Sequence, residues 1–175
     1  MTDWFSEWFD SRYYHILYKN RDQQEAESFL KNLSKLELFK KNSKIIDIAC
    51  GKGRHSLFLS ELGYDVTGVD LSKNSIKHAK KYENETLNFF VHDMRCVFKR
   101  NEFNLATNLF TSFGYFEKNE DEQKAINAMA LNLKKEGILI IDFMNVKKVI
   151  TTLIKSETKK VDGITFNIRK NITNN

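Results

Sequence analysis

Three aspartates recur at a fixed interval: Asp47, Asp70 and Asp93, each 23 residues after the one before. Each stands at or near the end of a short apolar run, and a glycine pair, Gly51 and Gly53, follows the first. A carboxylate in the second position can accept both hydroxyl protons of a ribose, because its two oxygens match a vicinal diol. One in the third position can accept from the exocyclic amino group of adenine. One beside the glycine loop can hold an ammonium, directly or through water, by charge-assisted hydrogen bonding. Ammonium, ribose and adenine together describe a nucleoside amino acid rather than a dinucleotide. Glycines lacking a side chain let such a ligand approach the backbone and let the turn take positive φ. Any one of these acids alone reads best as a turn or helix-capping residue. Three in register favour a ligand.

The spacing fits one strand and one helix per step. Ile45 to Ala49 reads as a buried strand, Arg54 to Leu62 as a helix stopped by Gly63, and Asp65 to Asp70 as a second strand. Ser72 to Tyr82 is a second helix, Leu87 to Val91 a third strand and Phe103 to Phe110 a fourth. Asn119 to Lys134 is an amphipathic helix leading to a fifth strand from Gly137 to Phe143. Strands alternating with helices at this spacing give an α/β fold with an open, doubly wound, mostly parallel sheet. Ligands in such sheets sit beyond the carboxyl ends of the strands, where the strand order reverses.

Ahead of the first strand, Trp4 to Tyr18 is rich in aromatics at i,i+4 spacing. Asp22 to about Lys40 reads as a helix with Ala26, Phe29, Leu30, Leu33 and Leu36 on one face. Behind the fifth strand, Val146 to Ile154 reads as a short helix. Lys159 to Ile172 then reads as a hairpin turning at Asp162-Gly163. Three units follow: an aromatic helical lid or cap at 1–40, a ligand-binding α/β domain at 41–155, and the start of a hairpin insertion at 156–175, with truncation there as an expectation.

Composition narrows the function classes. A chain of 175 residues with 41% hydrophobic content builds one sizeable core. No apolar run approaches the roughly 20 residues of a membrane span, and the acidic, aromatic N-terminus is unlike a signal peptide. Two cysteines, Cys50 and Cys96, give neither a zinc spacing nor a disulfide framework, so no metal and a cytoplasmic location are expected. The net charge of +5 comes from scattered lysine pairs, which argue for a solvated surface rather than a nucleic-acid footprint.

With these elements in place, the sequence resembles the class I S-adenosylmethionine-dependent methyltransferases. Ile46-Asp47-Ile48-Ala49-Cys50-Gly51-Lys52-Gly53-Arg54-His55 is similar to their glycine motif. Val66-Thr67-Gly68-Val69-Asp70-Leu71-Ser72 resembles their second-strand motif, and Val91-His92-Asp93-Met94-Arg95 their adenine-contacting turn. Leu133 to Asp142 resembles the entry to their fifth strand. The likeness covers roughly residues 40 to 145, and its one departure is Ala49 where many members have a glycine.

The resemblance implies S-adenosyl-L-methionine as cofactor and methyl transfer to a small-molecule acceptor. Asp47, Ala49, Gly51 and Gly53 would surround the methionine moiety, Asp70 and Leu71 the ribose, and Asp93 and Met94 the adenine. Asn108 would lie beside the sulfonium at the end of strand four. Asn108-Leu109-Phe110-Thr111 lacks the proline pair and aromatic that enzymes acting on DNA amino groups and on glutamine place there, which argues against those acceptors. In-line displacement at a sulfonium needs positioning above all. A dedicated base is required only for a hydroxyl or protonated amine. Tyr14, His15 and Tyr18 are candidates for that base or for a lid over the site, although packing onto the sheet explains such aromatics somewhat better. His55 reads as a capping or packing residue, and His78 and His92 have no clear role.

Two other readings stay open. Gly51-x-Gly53-x-x-Ser56 with Asp70 is a near miss to the fingerprint of an NAD(P)-binding domain. A non-catalytic methyltransferase-like domain that binds a partner is the second. It is motivated by an exposed sheet edge where further strands are expected, an edge that a homodimer could also seal.

Overall fold

A computed structural model describes residues 4–19, 23–35 and 38–172. Five parallel strands form one sheet: β1 (Lys44–Ile48), β2 (Asp65–Asp70), β3 (Leu87–Val91), β4 (Phe103–Asn108) and β5 (Leu133–Ile141). Their order is β3-β2-β1-β4-β5, so the chain winds outward to β3 and then returns across β1 to start β4. The strand order therefore reverses between β1 and β4. There a crevice opens above the strand ends.

Both faces of the central strands β1 and β4 are buried, as parallel sheets require. Ile45 and Leu105 point to one face, where they meet Leu30, Phe58, Leu59 and Ile76 from the helices. Ile46, Ile48 and Ala106 point to the other, against Ala125 and Met129. That two-residue alternation within β1 and β4 is the pleat itself.

The helices are α1 (Trp4–Asp10), α2 (Arg12–Leu17), α3 (Gln23–Ser34), α4 (Arg54–Glu61), α5 (Lys73–Ala79), α6 (Asn119–Asn132) and α7 (Val146–Thr152). The α3 stripe packs as read, with Ala26 and Leu30 buried. The helix stops at Ser34, short of the expected Lys40, and Leu36 lies outside the described residues. The second expected helix tightens to a 3-10 turn over Lys80–Tyr82. The fifth strand first pairs at Leu133, opposite Phe103, and resumes at Ile138 opposite Leu105. Between these the backbone bulges, with Glu136 at φ +63°. Apolar content marks Gly137 as the start because Lys134, Lys135 and Glu136 give no strand signal.

The hairpin is a separate two-stranded sheet of β6 (Ser156–Val161) and β7 (Ile164–Arg169). Asp162 and Gly163 both have positive φ, the two-residue turn whose twist suits a hairpin. Lys19, just past α2, pairs with Asp162 at the hairpin tip. Among the described residues no helix is long and apolar enough to cross a membrane.

Candidate functional site

A cavity of about 1090 Å³ fills the crevice above the carboxyl ends of β1, β2 and β4. Its floor is the loop after β1, where left-handed residues alternate: Ala49 (φ +61°), Gly51 (φ +57°) and Gly53 (φ +82°). A Cβ at Gly51 would stand in open space, so this glycine supplies the turn and leaves an uncovered cradle facing the cavity. Gly53 has another task. A Cβ there would come within 2.6 Å of the Phe89 ring, so Gly53 lets the start of α4 close onto β3. It stands outside the cavity lining.

The three aspartates all line the cavity but are in different states. Asp47 is fully buried. Ser56 Oγ donates to its Oδ2 at 2.6 Å and Thr107 Oγ1 to its Oδ1 at 3.0 Å, which ties α4 and β4 to β1. Burial pushes its carboxyl up to about 6, against the pull of those two hydroxyls. Asp70 ends β2 and is gripped by backbone amides: Gly51 N–H donates to Oδ2 at 2.8 Å and Ser72 N–H to Oδ1 at 2.7 Å. Burial raises its pKa although both amides oppose the shift. With the glycine loop and the strand end fixing it, this carboxylate presents its remaining lone pairs to the cavity.

Asp93 is engaged by Arg95, whose Nε and Nη2 donate to both of its oxygens, Nη2 to Oδ2 at 2.7 Å. Burial pushes its pKa up, but the Arg95 hydrogen bonds and charge together outweigh it and hold the carboxyl below its ordinary value. Arg95 also faces Asp121 and lies over the Phe116 ring. Met94 and Leu71 line the cavity beside these acids.

Asn108 is wholly buried and turned into the sheet, where its Nδ2 donates to the Ile48 carbonyl at 3.0 Å. It bridges β4 to β1 and does not line the cavity. The next residues do. Phe110 and Thr111 carry positive φ, a costly conformation for side chains with a Cβ and worst for β-branched Thr. Asp142 holds them there: its Oδ2 accepts from Phe110 N–H at 3.0 Å and its carbonyl from Thr111 N–H at 3.1 Å. His55 meets this loop from α4, its ring 6.2 Å from Phe110. Burial drives its pKa down to about 3, so the imidazole is neutral.

The roof comes from the N-terminal helices. Phe9 meets Tyr14 at 5.0 Å and Tyr115 at 5.2 Å between ring centroids, and Phe5 meets Phe116 at 5.4 Å, all edge to face. Asp10 anchors this roof to the start of α5, accepting from Ser72 Oγ and from Asn74 Nδ2. Tyr14, His15 and Tyr18 all line the cavity.

Sequence reasoning thus points to residues that the fold brings together around one cavity, Gly53 and Asn108 excepted. It missed Asp10, Asp142 and the strained Phe110-Thr111 pair. An aspartate ending a fifth apolar strand was the available signal for Asp142. Nothing local marked Asp10.

Open parallel sheet, reversal of strand order and a glycine loop answered by an acid on the neighbouring strand define a nucleotide-type binding domain of the doubly wound class. The chain belongs to the methyltransferase domain family, which matches residues 45–137. Its cofactor is therefore S-adenosyl-L-methionine, and the dinucleotide reading falls away. The open cradle at Gly51 and the amide-gripped Asp70 fit that group.

The chain is 31% identical over 144 residues to glycine/sarcosine N-methyltransferase of Aphanothece halophytica, covering 78% of this chain and 52% of that protein. It is 31% identical over 102 residues to the dTDP-3-amino-3,4,6-trideoxy-alpha-D-glucopyranose N,N-dimethyltransferase of Streptomyces venezuelae, covering 57% and 42%. The chain thus spans about half or less of the length of these curated relatives. Among solved structures, the PH0226 protein of Pyrococcus horikoshii OT3 superposes with a TM-score of 0.70 at 25% identity, covering 90% of this chain and 82% of that one. A S-adenosylmethionine-dependent methyltransferase from Clostridium acetobutylicum shares the fold, with a TM-score of 0.73 at 20% identity over 93% and 67% of the two chains.

Proposed function

We propose that this chain transfers the methyl group of S-adenosyl-L-methionine to the nitrogen of a small-molecule amine. The observation that carries the reading is the two-part cavity, with the glycine loop and Asp70 at its floor and aromatic rings over it. When bound, the cofactor supplies an electrophilic methyl group on a sulfonium. Asp70 binds the ribose hydroxyls, Leu71 and Met94 flank the nucleoside, and Gly51 lets the aminoacyl arm pass close to the backbone. Asp47, which lines the cavity while Ser56 and Thr107 hold it, acts on the arm's ammonium directly or through water. Asp93 takes the adenine amino group once Arg95 yields part of its grip.

The acceptor side follows from the roof. Trp8, Phe9, Tyr14 and Tyr115 line the same cavity as the Phe110-Thr111 loop and pack against one another edge to face. Aromatic faces favour a cation, and methylation of an amine makes one. A neutral amine is nucleophilic without a base, so the ring cluster can serve by orienting it and excluding water. Tyr14, His15 and Tyr18 act as lid contacts. The N-methyltransferase relatives support this acceptor class.

The test is transfer of labelled methyl from S-adenosylmethionine to matched panels of aliphatic amines, carboxylic acids and alcohols. Turnover confined to amines is expected. Transfer to acids or alcohols alone would overturn the acceptor class, and no transfer to any panel would favour a binding domain without catalysis.

A further inference from the structure

Three basic side chains lie close enough to act on one another's charge: His15 of α2, Lys52 of the glycine loop and His78 of α5. They arrive from three separate elements, and Asp10 at the end of α1, just ahead of α2, is tied to Ser72 and Asn74 at the start of α5. His15 and Lys52 both line the cavity. Nε2 of His15 and Nδ1 of His78 are enclosed and have no hydrogen-bond partner. An enclosed polar nitrogen without a partner is a cost to the fold that a ligand can remove.

The charges around this junction do not balance. Burial lowers the His15 pKa first, the Lys52 charge lowers it further, Asp10 raises it and His78 lowers it again. His78 is lowered by burial and by the charges of Lys52 and Lys81. Lys52 itself is lowered by burial alone, with no carboxylate opposing the shift. Asp10 is the sole acid acting on the group among the described residues, and both of its oxygens are committed to Ser72 and Asn74. Both imidazoles are thus held toward their neutral form, and the charge beside the cavity is that of Lys52, for which a carboxylate is the natural partner.

We propose that Lys52 and His15, backed by His78, form a carboxylate-binding subsite that fastens the N-terminal lid to the glycine loop. Lys52 supplies the charge and a hydrogen-bond donor from the loop, and His15 a ring N–H from the lid. A carboxylate held by both joins the lid to the loop, so ligand and lid close together. Two sources fit this chemistry: the carboxylate of the cofactor's aminoacyl arm and that of an amino-acid-like acceptor. The proposal rests on placing the cofactor over the glycine loop.

Calorimetric binding separates these cases. In the first arm, S-adenosylhomocysteine is compared with its decarboxylated counterpart, S-adenosyl-3-thiopropylamine, in the natural protein, in Lys52→Met and in Lys52→Arg. The second arm, at saturating S-adenosylhomocysteine, compares glycine with glycinamide in the same three proteins. In one of the two arms the natural protein prefers the carboxylate ligand by about tenfold or more, as a charge-assisted pair implies. Lys52→Met brings that preference below about threefold, Lys52→Arg keeps most of it, and His15→Ala reduces it in the same arm. The arm in which this happens identifies the source. A preference that survives Lys52→Met and His15→Ala, or none in either arm while S-adenosylhomocysteine still binds, overturns the subsite alone. Failure of the natural protein to bind S-adenosylhomocysteine overturns the cofactor placement and the subsite with it.

Discussion

The floor and the roof of the cavity are built on opposite plans. At the floor, backbone does most of the positioning: glycine-loop amides and the end of β2 fix Asp70, and Gly51 and Gly53 turn the chain with positive φ. At the roof, side chains do it, with aromatic edges interlocking and one aspartate tying α1 to α5. A backbone-built floor tolerates few substitutions and suits a cofactor common to many enzymes. A side-chain-built roof can change residue by residue, which suits the part of the ligand that differs.

Substitution at the floor should therefore cost folding or cofactor binding, whereas substitution among the aromatic rings of the roof should change acceptor kinetics and leave cofactor affinity alone. The largest expected effect is at Gly53. Gly53→Ala combines a left-handed backbone with a Cβ driven into the Phe89 ring, and should destabilise the fold by about 3 kcal/mol or more in urea denaturation. A loss under 1 kcal/mol would mean that α4 and β3 do not meet as described.

At the roof, Trp8→Leu should raise the acceptor KM roughly tenfold, about 1.4 kcal/mol, with the S-adenosylhomocysteine Kd changed less than twofold. Equal changes in both constants would erase the division between floor and roof.

Asp47 gives a pH-dependent test. Its folded-state pKa of about 6 lies above the ordinary 3.8, so the folded protein holds this proton more tightly than the unfolded chain. Stability from this group is fully present below about pH 4, falls as pH rises through 6 and is level above. Asn keeps the shape and can bond both hydroxyls without the charge. Asp47→Asn should therefore gain on the natural protein by about 2 kcal/mol between pH 4 and pH 7, read as the difference of two thermal unfolding profiles. A difference that stays flat with pH would contradict a buried, charge-strained carboxyl.

The smallest effect belongs to Ala49, an alanine at φ +61°. Ala49→Gly relieves that strain and should stabilise the fold by about 0.5–1 kcal/mol in spite of the added freedom of the unfolded chain. Destabilisation would show that the methyl group packs usefully against the ligand side.

The same contrast explains how much could be read beforehand. The strand-helix alternation, the ligand loop and Asp70 were legible because each follows from local pattern: apolar period, glycine spacing, an acid at a strand end. Asn108 was misplaced by one step, since strand position alone does not say which face a side chain takes. It points into β1, and Phe110 and Thr111 meet the cavity instead. Asp10 was invisible because its partners, Ser72 and Asn74, lie more than 60 residues away. The Asp93–Arg95 pair stood two residues apart in plain view, yet only tertiary packing decides whether Arg95 folds back or reaches outward.

The central claim is that the loop after β1 and Asp70 together form the cofactor site. Titrating S-adenosylhomocysteine into the natural protein and into Asp70→Ala by calorimetry tests it most directly. Saturable 1:1 binding that weakens by about 100-fold or more in the variant, with its circular dichroism unchanged, is the predicted result. Equal affinity in the two proteins would contradict the account and place the cofactor elsewhere.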